Sequence, residues 1–146
     1  MNTDTNETAN IPIPKDPEAM LRAAEAPSRL TSAAVVRELL EVLNGATLSS
    51  MAGVKNTRSI YQWLNGERQP EKLENLRFAL QLVYVMRNAG EADQTISAWF
   101  TSVNPRLGDA TPAALLSNNA VADVSVSIMG ATRAFLAFPS EKTNDH

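Results

Sequence analysis

The chain has 146 residues, 44% of them hydrophobic, with 13 basic and 16 acidic side chains and no cysteine. That length and apolar content suit one domain or two very small ones. The lack of cysteine excludes disulfides and thiolate chemistry and fits a reducing, cytoplasmic setting. The single histidine is the terminal His146, so a histidine-based triad, a zinc site or an HExxH helix is out of reach, and no cofactor is expected. No apolar run approaches a membrane span, and "MNTDTNETAN" lacks the basic and apolar regions of a signal peptide, so no membrane association is expected.

Net charge is −3, but unevenly spread. Residues 1–30 carry three basic and five acidic groups, residues 31–90 seven and five, and residues 91–146 three and six. The middle is the only net-basic part, a weak electrostatic pointer toward nucleic acid.

Residues 1–30 read as an N-terminal arm, partly disordered. It is polar and aromatic-free as far as "IPIPKD", followed by a short helix from Pro17 to Ala26 that stops at Pro27, with Asp16 as its cap. Thr31 is the next cap and opens "SAAVVRELLEVLNG", whose apolar stripe is Val35, Leu39, Val42 and Leu43 and whose end is Asn44-Gly45. "ATLSSMAG" makes a second short helix closed by Gly53, and a tight "GVKN" connection leads to "TRSIYQWLNGERQP". There, Ile60, Trp63 and Leu64 form an apolar stripe, while Arg58, Gln62 and Asn65 lie opposite with Tyr61 at the margin. Gly66 and Pro70 end that helix.

From Glu71 a long helix is predicted, with one stripe of Leu73, Leu76, Leu80 and Val83 and another of Phe78, Leu82 and Val85. Apolar residues on two faces imply packing against two bodies of protein. "ADQTISAWF" is predicted helical with Ile96, Trp99 and Phe100 inward, "TSVNPRLGDA" a loop, and Thr111-Pro112 the start of a new turn. In residues 120–130, "VSVSI" alternates like a strand, but the alanine-rich flanks favour helix. The expected fold is all-α: a helix-turn-helix domain with its linker helix (31–92), a small helical C-terminal domain (93–138) and a flexible tail (139–146).

Three short helices in order, the last two joined by a tight glycine-containing turn, fit a helix-turn-helix, whose third helix enters the major groove. Arginine binds guanine O6 and N7 bidentately, and glutamine or asparagine does the same with adenine N6 and N7. Arg58 and Gln62 are therefore the candidate base readers, with Asn65 and Tyr61 secondary. Lys55, Asn56, Thr57 and Arg68, at the helix ends, are candidate phosphate contacts. A solvated polar face gives the same periodicity; the tight turn and the local basic excess favour DNA.

"TRSIYQWLNGERQPEKLENLRFALQLVYVM" resembles the DNA-binding half of the Xre/MbcA/ParS antitoxins, with an Arg-Ser-hydrophobic-x-x-Trp helix, a glycine, a proline and a long Leu-rich helix. "SAWFTSVNPRLGDATPAALL" is similar to the same family's C-terminal signature through Trp99, Phe100, Asn104, Pro105, Leu107, Gly108, Thr111, Pro112 and Leu116. The resemblance covers roughly residues 31 to 130. It implies a cytoplasmic DNA-binding protein that represses its own operon and whose C-terminal domain holds a RES-fold toxin. Two positions depart from the pattern: Ala120 stands where the family has glycine, and the chain continues past Gly130. A phage-type immunity repressor built from the same two modules is the alternative. Its C-terminal unit would add DNA contacts through Arg106 or Arg133, or form a dimer, with no toxin bound.

An enzyme is the reading from a different class. Ser49, Ser50, Ser125 and Ser127 lack a histidine or cysteine partner, Asp109 and Asp123 sit in loop and alanine-rich surroundings, and no glycine-rich phosphate loop occurs. No catalytic or metal-binding residue is assigned. The expected partner is double-stranded operator DNA, with a toxin or a second copy of the chain as further candidates.

Overall fold

The computed structural model describes residues 21–23 and 25–137. The expected cap at Asp16, the polar arm before it and the tail from Pro139 lie outside the described residues. Residues 21–23 and 25 are helical and run into a 3-10 turn, η1 (Ala26–Arg29). The α-helix ends at Glu25, close to the expected stop at Pro27, and the chain goes on as the 3-10 turn. Pro27 lies in the first positions of η1, where a missing N–H costs nothing, and is buried. Arg77 fastens this turn by donating from Nη1 to the carbonyls of Pro27 (2.8 Å) and Leu30 (2.7 Å).

The remaining elements are α1 (Ser32–Leu40), α2 (Gly45–Met51), α3 (Arg58–Leu64), α4 (Leu73–Asn88), α5 (Asp93–Thr101), the 3-10 turn η2 (Pro105–Leu107), α6 (Pro112–Asn118) and α7 (Val121–Leu136). The fold is all-α. Among the described residues there is no strand, and an isolated antiparallel bridge joins Asn104 to Ala110 around η2. The stretch whose alternation suggested a strand is helical as the first turns of α7, with Val124 and Ile128 inward at helical spacing.

Local chemistry sets the helix starts. Thr31 Oγ1 accepts from the Ala34 N–H at 3.1 Å, and Thr111 Oγ1 from the Ala114 N–H at 3.0 Å. Asn44 corrects the sequence reading. Its Oδ1 accepts from the Thr47 N–H at 2.8 Å, so it begins α2 rather than ending α1. Gly45 likewise opens α2, where an added Cβ would come 3.3 Å from Thr57 Cγ2 at the start of α3. The glycine lets these two helix starts approach. Helix α1 stops at Leu40, leaving Val42 only half-buried, while Val36 joins Val35 and Leu39 in the core.

Helix α4 passes through the middle of the molecule, against α1, η1 and α2 on one side and α5 and α7 on the other. Both of its predicted stripes are used: Leu76, Leu80 and Val83, and Phe78, Leu82 and Val85, are all buried, while Leu73 is half-buried. The buried residues of α1–α3 and of α5–α7 belong to one hydrophobic cluster with those of α4. Trp99 closes it, stacked edge-on to Phe100 with centroids 5.3 Å apart.

Polar interlocks supplement this core. Buried Asn75 donates from Nδ2 to the carbonyls of Leu116 (2.6 Å) and Asn119 (3.0 Å), and Lys72 Nζ donates to the Ser117 carbonyl at 2.7 Å. Asn75 of α4 and Lys72 at its N-cap thus satisfy orphan carbonyls at the end of α6. Tyr84 donates its hydroxyl to the Glu38 carboxylate on α1. Burial and then this bond push the phenol pKa up to about 12. Arg87 donates to Asp93 through Nε at 2.8 Å and Nη2 at 3.0 Å. This pair holds Asp93 below the usual carboxylate range and raises the guanidinium further.

Candidate nucleic-acid interface

Helix α3 is anchored from below. Ile60 and Trp63 are 4% and 2% exposed, and Leu64 is half-buried. Helix α3 packs against both α1 and α2. The turn before it depends on Gly53, whose φ of +80° favours a residue without Cβ; an added Cβ would meet Lys72 Cδ at 3.0 Å. The outer surface carries the expected polar set. Lys55, Asn56, Thr57, Arg58, Asn65 and Arg68 are exposed, Gln62 is half-buried and Tyr61 is 70% exposed. Tyr61 is thus mostly exposed beside the polar set.

Some of the described cations are engaged by the scaffold and others are not. Lys72, Arg77 and Arg87 are spent on the scaffold, holding α6, η1 and α5. Lys55 and Arg58 make no side-chain hydrogen bond or ion pair among the described residues, and neither do Arg106 and Arg133. A solvated cation on a surface held in place by buried neighbours is available to a phosphate or a base edge without first breaking a protein contact.

The amide side chains behave differently. Asn56 Oδ1 accepts from the Arg58 N–H at 2.9 Å and Asn65 Oδ1 from the Glu67 N–H at 3.0 Å. Gln62 Oε1 accepts from Arg68 Nη1 at 3.3 Å. The amide oxygens of Asn56, Asn65 and Gln62 thus each accept a hydrogen bond from the protein itself. Asn56 and Asn65 show the Asx-turn spacing of two residues, a pattern visible in the sequence once sought; the Arg68–Gln62 bond spans six residues around a turn and has no such signature. Thr57 sits at the N-cap of α3 without a side-chain bond, so Asn56 does the capping.

Arg106 and Arg133 are both exposed, but they line different clefts. Arg106 borders one with Trp99, Val103, Pro105 and Phe135. Arg133 borders another, between α4 and α7, with Phe78, Val121, Val126 and Met129. Among the described residues no group of three or more His, Cys, Asp or Glu side chains is placed to hold a metal ion, and no helix is long and apolar enough to cross a membrane.

Compared with protein-family models, with curated proteins and with solved structures, the chain matches none.

Proposed function

We propose that the chain is a sequence-specific repressor that binds double-stranded operator DNA by laying α3 in the major groove. The observation that carries this reading is the uncommitted pair Lys55 and Arg58 at the start of a short helix whose opposite face, Ile60 and Trp63, is fixed in the core. A rigid anchor below and free donors above is what reading a groove requires. In the simplest form the protein regulates its own operon, as the Xre/MbcA/ParS resemblance implies, and a RES-type toxin occupies the C-terminal unit.

A second reading has its own support. Helix α6 is bolted to α4 by Asn75 and Lys72, and α2 packs against α6, where Ser50 Oγ lies 3.4 Å from Ser117 Oγ. A C-terminal unit held in fixed register beside the helix-turn-helix, with Arg106 and Arg133 unpaired, suits a phage-type immunity repressor in which both units touch one DNA site or a dimer partner.

The test is site selection by the full chain from a random duplex pool, with the mass of each complex recorded. The full chain is used because the buried residues of α4 share one cluster with those of α5–α7. A defined selected site supports the repressor reading, and its loss in an Arg58→Ala variant assigns it to α3. Failure of the wild type to select any site overturns it. If a variant combining Arg106→Ala and Arg133→Ala selects a shortened site at unchanged stoichiometry, the C-terminal unit touches DNA. If that variant selects the full site, the toxin-holding form is favoured.

A further inference from the structure

Arginine, lysine and the NH2 of an amide only donate hydrogen bonds, whereas an amide oxygen accepts them. The amide oxygens of Asn56, Asn65 and Gln62 are all engaged by the protein itself. We infer that Gln62 reads guanine rather than adenine, donating from Nε2 to the O6 or N7 acceptor, with Arg68 as the positioning residue whose guanidinium occupies the Gln62 side-chain carbonyl. This rests on the reading of α3 as the DNA-contacting helix, and names the base that Gln62 prefers.

The Gln62 pairing decides the matter. Bidentate recognition of adenine needs both ends of the amide, Oε1 accepting from N6–H2 and Nε2 donating to N7. With a guanidinium already on Oε1, an adenine amino group would have to share that oxygen beside a cation. Nε2 remains, and a lone donor finds its best partners in the acceptor edge of guanine. Arg68 is itself held in place, since its own N–H and that of Glu67 donate to the Gln62 main-chain carbonyl at 3.3 and 2.9 Å. Arg68 is therefore fastened to Gln62 through both main chain and side chain, which makes it a poor phosphate contact and a good orienter. The Nδ2 groups of Asn56 and Asn65 add donors at the two ends of the helix, suited to phosphate oxygens.

The test starts from the duplex that the full wild-type chain selects. Gln62→Ala relaxes one position of that site, which identifies the base pair it reads. The expected base there is guanine, and 7-deazaguanine, which lacks the N7 acceptor, weakens binding about tenfold. Arg68→Ala is expected to shift preference at that position from guanine toward adenine, leaving other positions and the salt slope unchanged. Adenine selected opposite Gln62 by the wild type overturns the inference while leaving the repressor reading intact. So does uniform weakening by Arg68→Ala with a salt slope smaller by about 1, the behaviour of a phosphate contact. If no site is selected at all, both fall together.

Discussion

Asn75 on α4 and Leu116 on α6, 41 residues apart, are joined by a side-chain-to-carbonyl hydrogen bond of 2.6 Å inside the protein. The same amide reaches the Asn119 carbonyl, so one polar side chain from α4 adds to the capping that Asn119 Nδ2 supplies at the Leu115 carbonyl. Replacing Asn75 with leucine leaves two carbonyls short of partners. Asn75→Leu is expected to lower unfolding stability by about 1–3 kcal/mol, the cost of a buried unsatisfied polar group. A urea titration followed by helical ellipticity measures it. An unchanged midpoint would show that water replaces the amide.

The two free cations at α3 should separate in behaviour. Arg58→Ala is expected to reduce base discrimination by about 1–3 kcal/mol, while Lys55→Ala weakens all sequences alike and lowers the salt slope by about 1. Competition binding at several salt concentrations distinguishes them. Both side chains are exposed, so melting temperatures should hardly move.

Trp63, by contrast, belongs to the scaffold. At 2% exposure its truncation to alanine opens a cavity under α3 and is expected to cost about 3–5 kcal/mol. Calorimetry would read this directly. Loss of DNA binding in that variant with full stability retained would move Trp63 to the interface instead.

Two ionisable groups contribute to the pH dependence of stability. Asp93 is held below its ordinary value by Arg87, so its contribution is present above the unfolded carboxylate pKa and is lost as pH falls through the folded value. Asp93→Asn should therefore shallow the acid limb of the stability profile. Tyr84 is raised from 10.0 to about 12, so its contribution is complete below pH 10 and disappears as pH rises toward 12. Tyr84→Phe should remove that alkaline slope. Denaturant midpoints across pH check both.

Gly53 offers a backbone test. Alanine there must adopt φ near +80° and place a methyl against Lys72, whose ammonium holds the α6 carbonyl of Ser117. Gly53→Ala is expected to destabilise by about 1–2 kcal/mol. Gly53→Asn should lose less in a thermal melt, because asparagine tolerates the left-handed region better.

By itself the sequence determined what depends on neighbours a few residues away. Thr31 and Thr111 cap because a threonine in extended backbone just before a helix sets its hydroxyl beside the N–H three residues on, and the two stripes of α4 follow from helical spacing alone. The all-α class and the outward set on α3, from Lys55 to Arg68, were legible for the same reason. Tertiary structure decided the rest. Asn44-Gly45 has the composition of a helix end, and only the packing of α2 against Thr57 makes it a beginning. That Lys72 and Asn75 belong to α6, and Arg77 to η1, depends on closing loops of 41 to 50 residues, which no local pattern encodes. The orientation of the Gln62 amide is the sharpest case. Residue type offers both a donor and an acceptor, and the turn that brings Arg68 back onto α3 chooses between them.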